Sequence, residues 1–244
     1  MTNEKDTINH SRRRFIKKSG LVVGGTLLGT FIGTSVQGNK QQSPPPPTSE
    51  KKNYNRALKF FTRREDFDTL SAATERIFPE DENGPGAIQL GVPYFIDHEL
   101  ASGYGHNDRE YMKGPFFLGS EFQGYQSPLK RRDLFLKGLR KIEEVSKNDY
   151  NASFVDLEDE QQDELLTKFE EDKVEIKGVK ASFFFNTLIS ATFSGAYADP
   201  LYGGNSDMEG WNMKEFPGAQ MSYLNEIEEE KFIKKGPIAL NDHM

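Results

Sequence analysis

Residues 180–198 read KASFFFNTLISATFSGAYA, and this stretch decides the fold. Phe183, Phe184, Leu188, Ile189 and Phe193 recur at helical spacing, and Asp199-Pro200 ends the pattern. The apolar residues cover more than one face, which predicts a helix lying at the centre of a core. Working outward, Glu158 to Phe169 predicts a shorter acidic helix with Leu165, Leu166 and Phe169 inward. Pro128 to Lys147 predicts the longest amphipathic helix, with Leu134, Leu136, Leu139, Ile142 and Val145 set among charges. Phe67 to Phe78 places Phe67, Leu70, Ala73 and Ile77 on one face, with Asp66 or Asp68 as the expected cap. Pro79 stops that helix in a turn cluster running to Gly86, and a helix through Ala101 follows, with Pro93 in its first turn. The tail after Met221 has room for one short final helix. No strand pair and no internal repeat is visible. The expected fold class is all-α: a single irregular helical domain with long loops over residues 54–244, preceded by a signal at 1–38 and a linker at 39–53.

Charge is divided unevenly along the chain. Residues 1–38 carry six basic and two acidic side chains, so the rest of a chain of net charge −7 carries −11. An acidic body repels nucleic acid and anionic lipid alike, and no nucleic-acid partner is expected. The chain has no cysteine, which removes disulfides, thiolate metal sites and covalent haem attachment from consideration. Nineteen Phe and nine Tyr supply the core instead.

The front end has its own chemistry. Ser11-Arg12-Arg13-Arg14-Phe15-Ile16-Lys17 precedes an uncharged, glycine-diluted apolar run from Ser19 to Asn39. Arg12, Arg13, Phe15 and Lys17 fit a twin-arginine export signal, with Ile16 where Leu is commoner. The run is also long enough, at about 20 residues, to stay as a membrane anchor. Val36-Gln37-Gly38 is the nearest cleavage site. Four consecutive prolines, Pro44 to Pro47, then make a stiff extended spacer. The expected location is extracytoplasmic and membrane-associated, reached through the twin-arginine translocation machinery.

Catalytic patterns are sparse. Of four histidines, His10 lies in the signal and His243 at the end of the chain. Asp97-His98-Glu99 are sequence neighbours rather than a triad, and no Gly-x-Ser-x-Gly elbow exists. His98, Glu99, His106 and Asp108 are the only residues with the makings of a metal site, without the helical His spacing that such sites favour. Glycine-rich phosphate cradles are absent. Neither catalytic, cofactor-binding nor metal residues are therefore assigned to this chain.

One segment stands out: Asp199-Pro200-Leu201-Tyr202-Gly203-Gly204-Asn205, then Trp211, then Phe216-Pro217-Gly218. Paired glycines admit positive φ and close approach, and Tyr and Trp are typical of binding hot spots. Tyr202, Gly203, Gly204, Asn205, Trp211 and Pro217 are the partner-binding candidates; a packed loop plugged by Trp211 is the competing reading. This segment, together with Leu70-Ser71-Ala72-Ala73-Thr74-Glu75-Arg76-Ile77-Phe78-Pro79-Glu80-Asp81, the turn through Gly86, Ala87, Gly91 and Val92, Phe95-Ile96-Asp97 and the stretch from Phe184, resembles the small subunit (subunit 3, or gamma) of membrane-bound gluconate 2-dehydrogenase and its flavin-linked relatives. The likeness runs in order from Phe67 to Gln220.

The resemblance implies a non-catalytic partner. In that family a large FAD-dependent subunit of the GMC type oxidises the sugar or polyol, and a cytochrome c subunit carrying haem takes the electrons. The small subunit bears the export signal and escorts the folded flavoprotein. Some relatives hold a disulfide that this cysteine-free chain lacks. Two other readings stay open on residues alone: a stand-alone exported enzyme using His98, Glu99 and His106 around a metal, and a wall-associated binding protein.

Overall fold

The computed structural model describes residues 56–117, 119–120, 123–231 and 233–243. The export motif at Arg12, Arg13, Phe15 and Lys17 and the proline-rich linker lie outside them. Among the described residues seven α-helices form: α1 Arg64–Ile77, α2 Val92–Ala101, α3 Gly103–His106, α4 Arg131–Tyr150, α5 Asp159–Glu170, α6 Ala181–Tyr197 and α7 Glu209–Met213. The only sheet among them is a two-residue antiparallel hairpin, β1 Glu175–Ile176 with β2 Val179–Lys180. The domain is all-α, as the apolar spacing requires. Among the described residues no helix is long and apolar enough to cross a membrane.

Helix α6 is the axle, touching α1, α2, α4, α5 and α7. Phe184, Phe185 and Leu188 are buried, and Phe184 stands edge-on to Phe135 of α4 at 6.0 Å and to Phe169 of α5 at 6.1 Å. Such edge-to-face rings add about 0.5–1.5 kcal/mol each beyond their burial. Gly138 makes the α4–α6 approach possible: a Cβ there would lie 2.3 Å from the Phe184 ring. Arg76 of α1 grips both carboxylate oxygens of Asp163 at 3.0 Å, and its other nitrogen reaches Asp159 at 2.5 Å. The acidic face of α5, legible only as solvated, is thus partly spent on binding α1.

Several local expectations are corrected. Neither Asp66 nor Asp68 caps α1; the helix starts earlier, after Arg63, with no side-chain cap. Asp66 is instead buried and pairs with Arg140 of α4 at 2.9 Å. A short strand pair that the sequence did not show does form, and Gly178 turns it at φ +88°. The stretch after Asp199, read as a loop, is a series of single turns and α7, and the short final helix for which the tail has room is a 3-10 turn, Leu240–His243. Helix α5 starts as its sequence suggests, with Glu158 and Gln161 forming a reciprocal capping box.

Candidate functional site

The segment after α6 is built to cover that helix's C-terminal end, whose last carbonyls have no partner within the helix. Asn205 is fully buried; its Nδ2 donates to the Ala198 carbonyl at 2.8 Å and its Oδ1 accepts from Gly210 N at 2.7 Å. Trp211 Nε1 donates to the Tyr197 carbonyl at 2.9 Å. Gly204 lies so close that a Cβ would sit 2.2 Å from the Gly195 carbonyl oxygen, so no other residue fits. Ser206 N donates to Leu90 O at 3.0 Å, which ties the segment to the turn before α2. Asp199 holds both ends: Oδ1 accepts from Leu201 N, and Oδ2 accepts from Leu240 N, each at 2.9 Å.

The six candidates therefore divide. Asn205, Gly204 and Trp211 (6% exposed) face inward and shape the loop, while Gly203 and Pro217 are half-buried. Tyr202 faces out at 54% exposure, beside exposed Leu201, and Phe216 is exposed while edge-on to Trp211 at 5.4 Å. Side chains able to touch another surface sit on a platform that the buried ones hold in place.

A second surface comes from the loop between α3 and α4. Its ends are clamped by Arg131, whose guanidinium lies between the rings of Tyr104 and Tyr125 at 4.4 and 4.5 Å. Arg131 also pairs with Glu110 at 2.7 Å, and its backbone N–H donates to Asn107 Oδ1 at 2.8 Å. Burial pushes both phenols up from their ordinary value, with Arg131 pulling the other way, so both stay protonated. Between these clamps Tyr111 (78%) and Phe117 (80%) face solvent. Phe116 and Phe117 line an apolar cleft of about 400 Å³ with Pro128, Val179 and Phe183.

The two histidines weighed for metal binding are engaged elsewhere. His98 Nε2 is 2.9 Å from the Ala57 carbonyl, and His106 Nε2 is 2.8 Å from an Arg132 nitrogen. No group of three His or carboxylate side chains converges among the described residues. Glu99 and Asp108 line a polar cleft of about 540 Å³ with Tyr104 and Arg131. Burial raises the Glu99 carboxyl above its ordinary value, opposed in part by His98. A carboxyl whose folded pKa is raised contributes most below its unfolded pKa, and stability falls as pH rises through the folded one. Glu99→Gln is expected to raise Tm slightly at pH 7, with the gain shrinking toward pH 4; equal melting curves at both pH values would refute this.

Asp97, which the sequence offered only as a neighbour of His98 and as part of the family likeness, has a structural role that sequence reasoning missed. Its carboxylate is fully buried and accepts the backbone N–H groups of Lys59, Phe60 and Phe61. No sequence signal marks that role, because its partners are main-chain groups 36 to 38 positions away.

The model of the family gluconate 2-dehydrogenase subunit 3 matches residues 64–218. The chain belongs to that family. No curated protein and no solved structure matches it. The subunit 3 match takes in α1 through α7, both exposed aromatic surfaces and Asp97, but not the amides at 59–61 that Asp97 holds, and it ends at Gly218. Membership places the chain among subunits of a multi-subunit oxidoreductase, gluconate 2-dehydrogenase.

Proposed function

We propose that this chain is the non-catalytic small subunit of an exported FAD-dependent sugar or polyol dehydrogenase of the gluconate 2-dehydrogenase kind. It binds the folded flavoprotein, stabilises it and escorts it through the twin-arginine pathway. The observation that carries the reading is family membership across the helical body. The FAD belongs to a GMC-type partner, and haem to a cytochrome c partner that takes the electrons. Working by adhesion suits the two platforms: Leu201, Tyr202 and Phe216 on one, Tyr111, Phe116 and Phe117 on the other, each pinned by buried polar contacts. Preformed surfaces of this kind lose little conformational entropy on docking. After export the complex works outside the cytoplasm, at the membrane.

The test is co-expression of a candidate flavoprotein of the gluconate 2-dehydrogenase kind with the wild-type chain, without it, and with the Arg12→Lys/Arg13→Lys variant. Extracytoplasmic dye-linked sugar oxidation is expected to fall at least about tenfold in the last two, with the flavoprotein retained inside. Activity and location unchanged in both would end the escort reading.

A further inference from the structure

The end of α2, helix α3 and the first residue of α4 line a polar cleft that neither aromatic platform uses. Its volume, about 540 Å³, falls in the range of small-ligand sites, about 300–1,000 Å³. One wall is fixed. Arg131 is stacked on the Tyr104 ring at 4.4 Å and paired with Glu110 at 2.7 Å, so these two charges answer each other. Other polar groups of the cleft are uncommitted. Among the described residues the carboxylates of Glu99 and Asp108 and the guanidinium of Arg109 make no hydrogen bond and no ion pair. Burial already holds the Glu99 carboxyl above its ordinary value, the mark of an acceptor short of water.

Asn107 supplies the observation that points to a ligand. It lines the cleft, is 3% exposed, and is fixed in one orientation because its Oδ1 accepts the Arg131 backbone N–H at 2.8 Å. Its Nδ2 is left buried with no acceptor among the described residues. A buried donor without an acceptor is destabilising, and native folds leave few of them. An oxygen atom brought to that wall satisfies it.

Charge selects among ligands. With Glu110 spent on Arg131, an anion entering the cleft faces two open carboxylates, and a cation faces Arg109 beside the stacked Arg131. A neutral molecule meets neither repulsion. To serve two carboxylate acceptors, a guanidinium and an amide donor at once, it must carry several groups that both donate and accept, and hydroxyls do so.

We propose that this cleft binds a neutral polyhydroxylated molecule, a sugar or a polyol: Glu99 and Asp108 accept hydrogen bonds from its hydroxyls, and Arg109 and Asn107 Nδ2 donate to its oxygens. Binding of this kind makes and breaks no covalent bond. It goes beyond the subunit reading and gives the chain a ligand of its own. A free sugar and the sugar units of an envelope glycan present the same chemistry.

The test titrates the purified full-length chain with D-glucose, D-sorbitol, chitotriose and D-gluconate, followed by saturation-transfer NMR. A neutral compound is expected to bind saturably, with a Kd on the order of 1 mM. The anion D-gluconate is expected to bind at least about tenfold more weakly at low salt. Glu99→Gln/Asp108→Asn removes both open charges and keeps their shape; it is expected to weaken the neutral compound about tenfold and to narrow its lead over D-gluconate. Asn107→Asp keeps an acceptor for the Arg131 N–H and loses the free donor, and is expected to weaken binding likewise with the circular dichroism of the wild type. Chitotriose bound more tightly than D-glucose and D-sorbitol assigns the cleft to a glycan strand; either small compound bound as well or better assigns it to a free sugar or polyol. No saturable binding of any neutral compound overturns the proposal, and so does D-gluconate bound as tightly as they are. A neutral compound whose Kd is the same in both variants is bound elsewhere, which also overturns it. None of these results touches the subunit reading, because flavoprotein binding is a separate measurement.

Discussion

Asp97→Ala is expected to destabilise the domain by about 3–5 kcal/mol, the scale for removing one side of a buried charged network. Oδ1 accepts Phe60 N at 3.0 Å and Phe61 N at 2.8 Å, and Oδ2 accepts Lys59 N. Without the carboxylate, those amides either remain dry and unpaired or peel away to find water. Peeling carries Phe61 out of the core, where it is buried and packs edge-on to Phe60 at 4.9 Å and to Phe67 at 6.2 Å. It also breaks the contact of His98 with the Ala57 carbonyl. Asp97→Asn should fall between: its amide oxygen can keep two donors, while its NH2 group faces the third donor and cannot accept it. Urea unfolding of the purified chain with each variant checks the order. A midpoint for the Ala variant within about 1 kcal/mol of wild type would mean that the segment before α1 contributes little.

Asp97 also shows where a sequence stops being readable. The helices were legible because burial imposes a period: Phe67, Leu70 and Ala73 repeat at three, and all are buried in α1. The centrality of α6 followed from apolar residues on more than one face, and its neighbours on α4 and α5 do surround it. Polar side chains carry no such period. Asp66 read as a cap because it precedes an apolar run, yet its depth in the fold, set by Arg140 arriving from 74 positions away, makes it an interhelical anchor. The same limit divides the candidate surface. Tyr202 and Trp211 look alike as amphipathic aromatics, but only geometry shows that Trp211 turns inward to Tyr197 while Tyr202 turns out. The exposure of Leu224 and Ile227 was hidden within an acidic run, since exposure of an aliphatic residue is a tertiary property.

Trp211→Ala is the second large effect expected, about 3–5 kcal/mol, the range for truncating a buried aromatic. The indole fills the space under the loop, edge-on to Phe216, and satisfies the Tyr197 carbonyl at the end of α6. Its removal leaves that carbonyl without its donor and Phe216 without its wall. The loss should spread to the bridge between Gly218 and Ile238, because Gly218 packs so closely on the indole that a Cβ there would lie 2.8 Å from its Cζ3. A fall in Tm on the order of 10 °C follows, at about 2–4 °C per kcal/mol for a domain of this size. Trp211→Phe separates the two contributions: the ring is mostly kept and the hydrogen bond lost, for about 1–2 kcal/mol. Flavoprotein binding should weaken in step with stability across the pair, since the residue acts by holding Tyr202 and Phe216 in place rather than by touching the partner. An Ala variant that melts with the wild type but no longer binds would reverse this, making the indole itself part of the contact surface and its inward position a property of the free subunit alone.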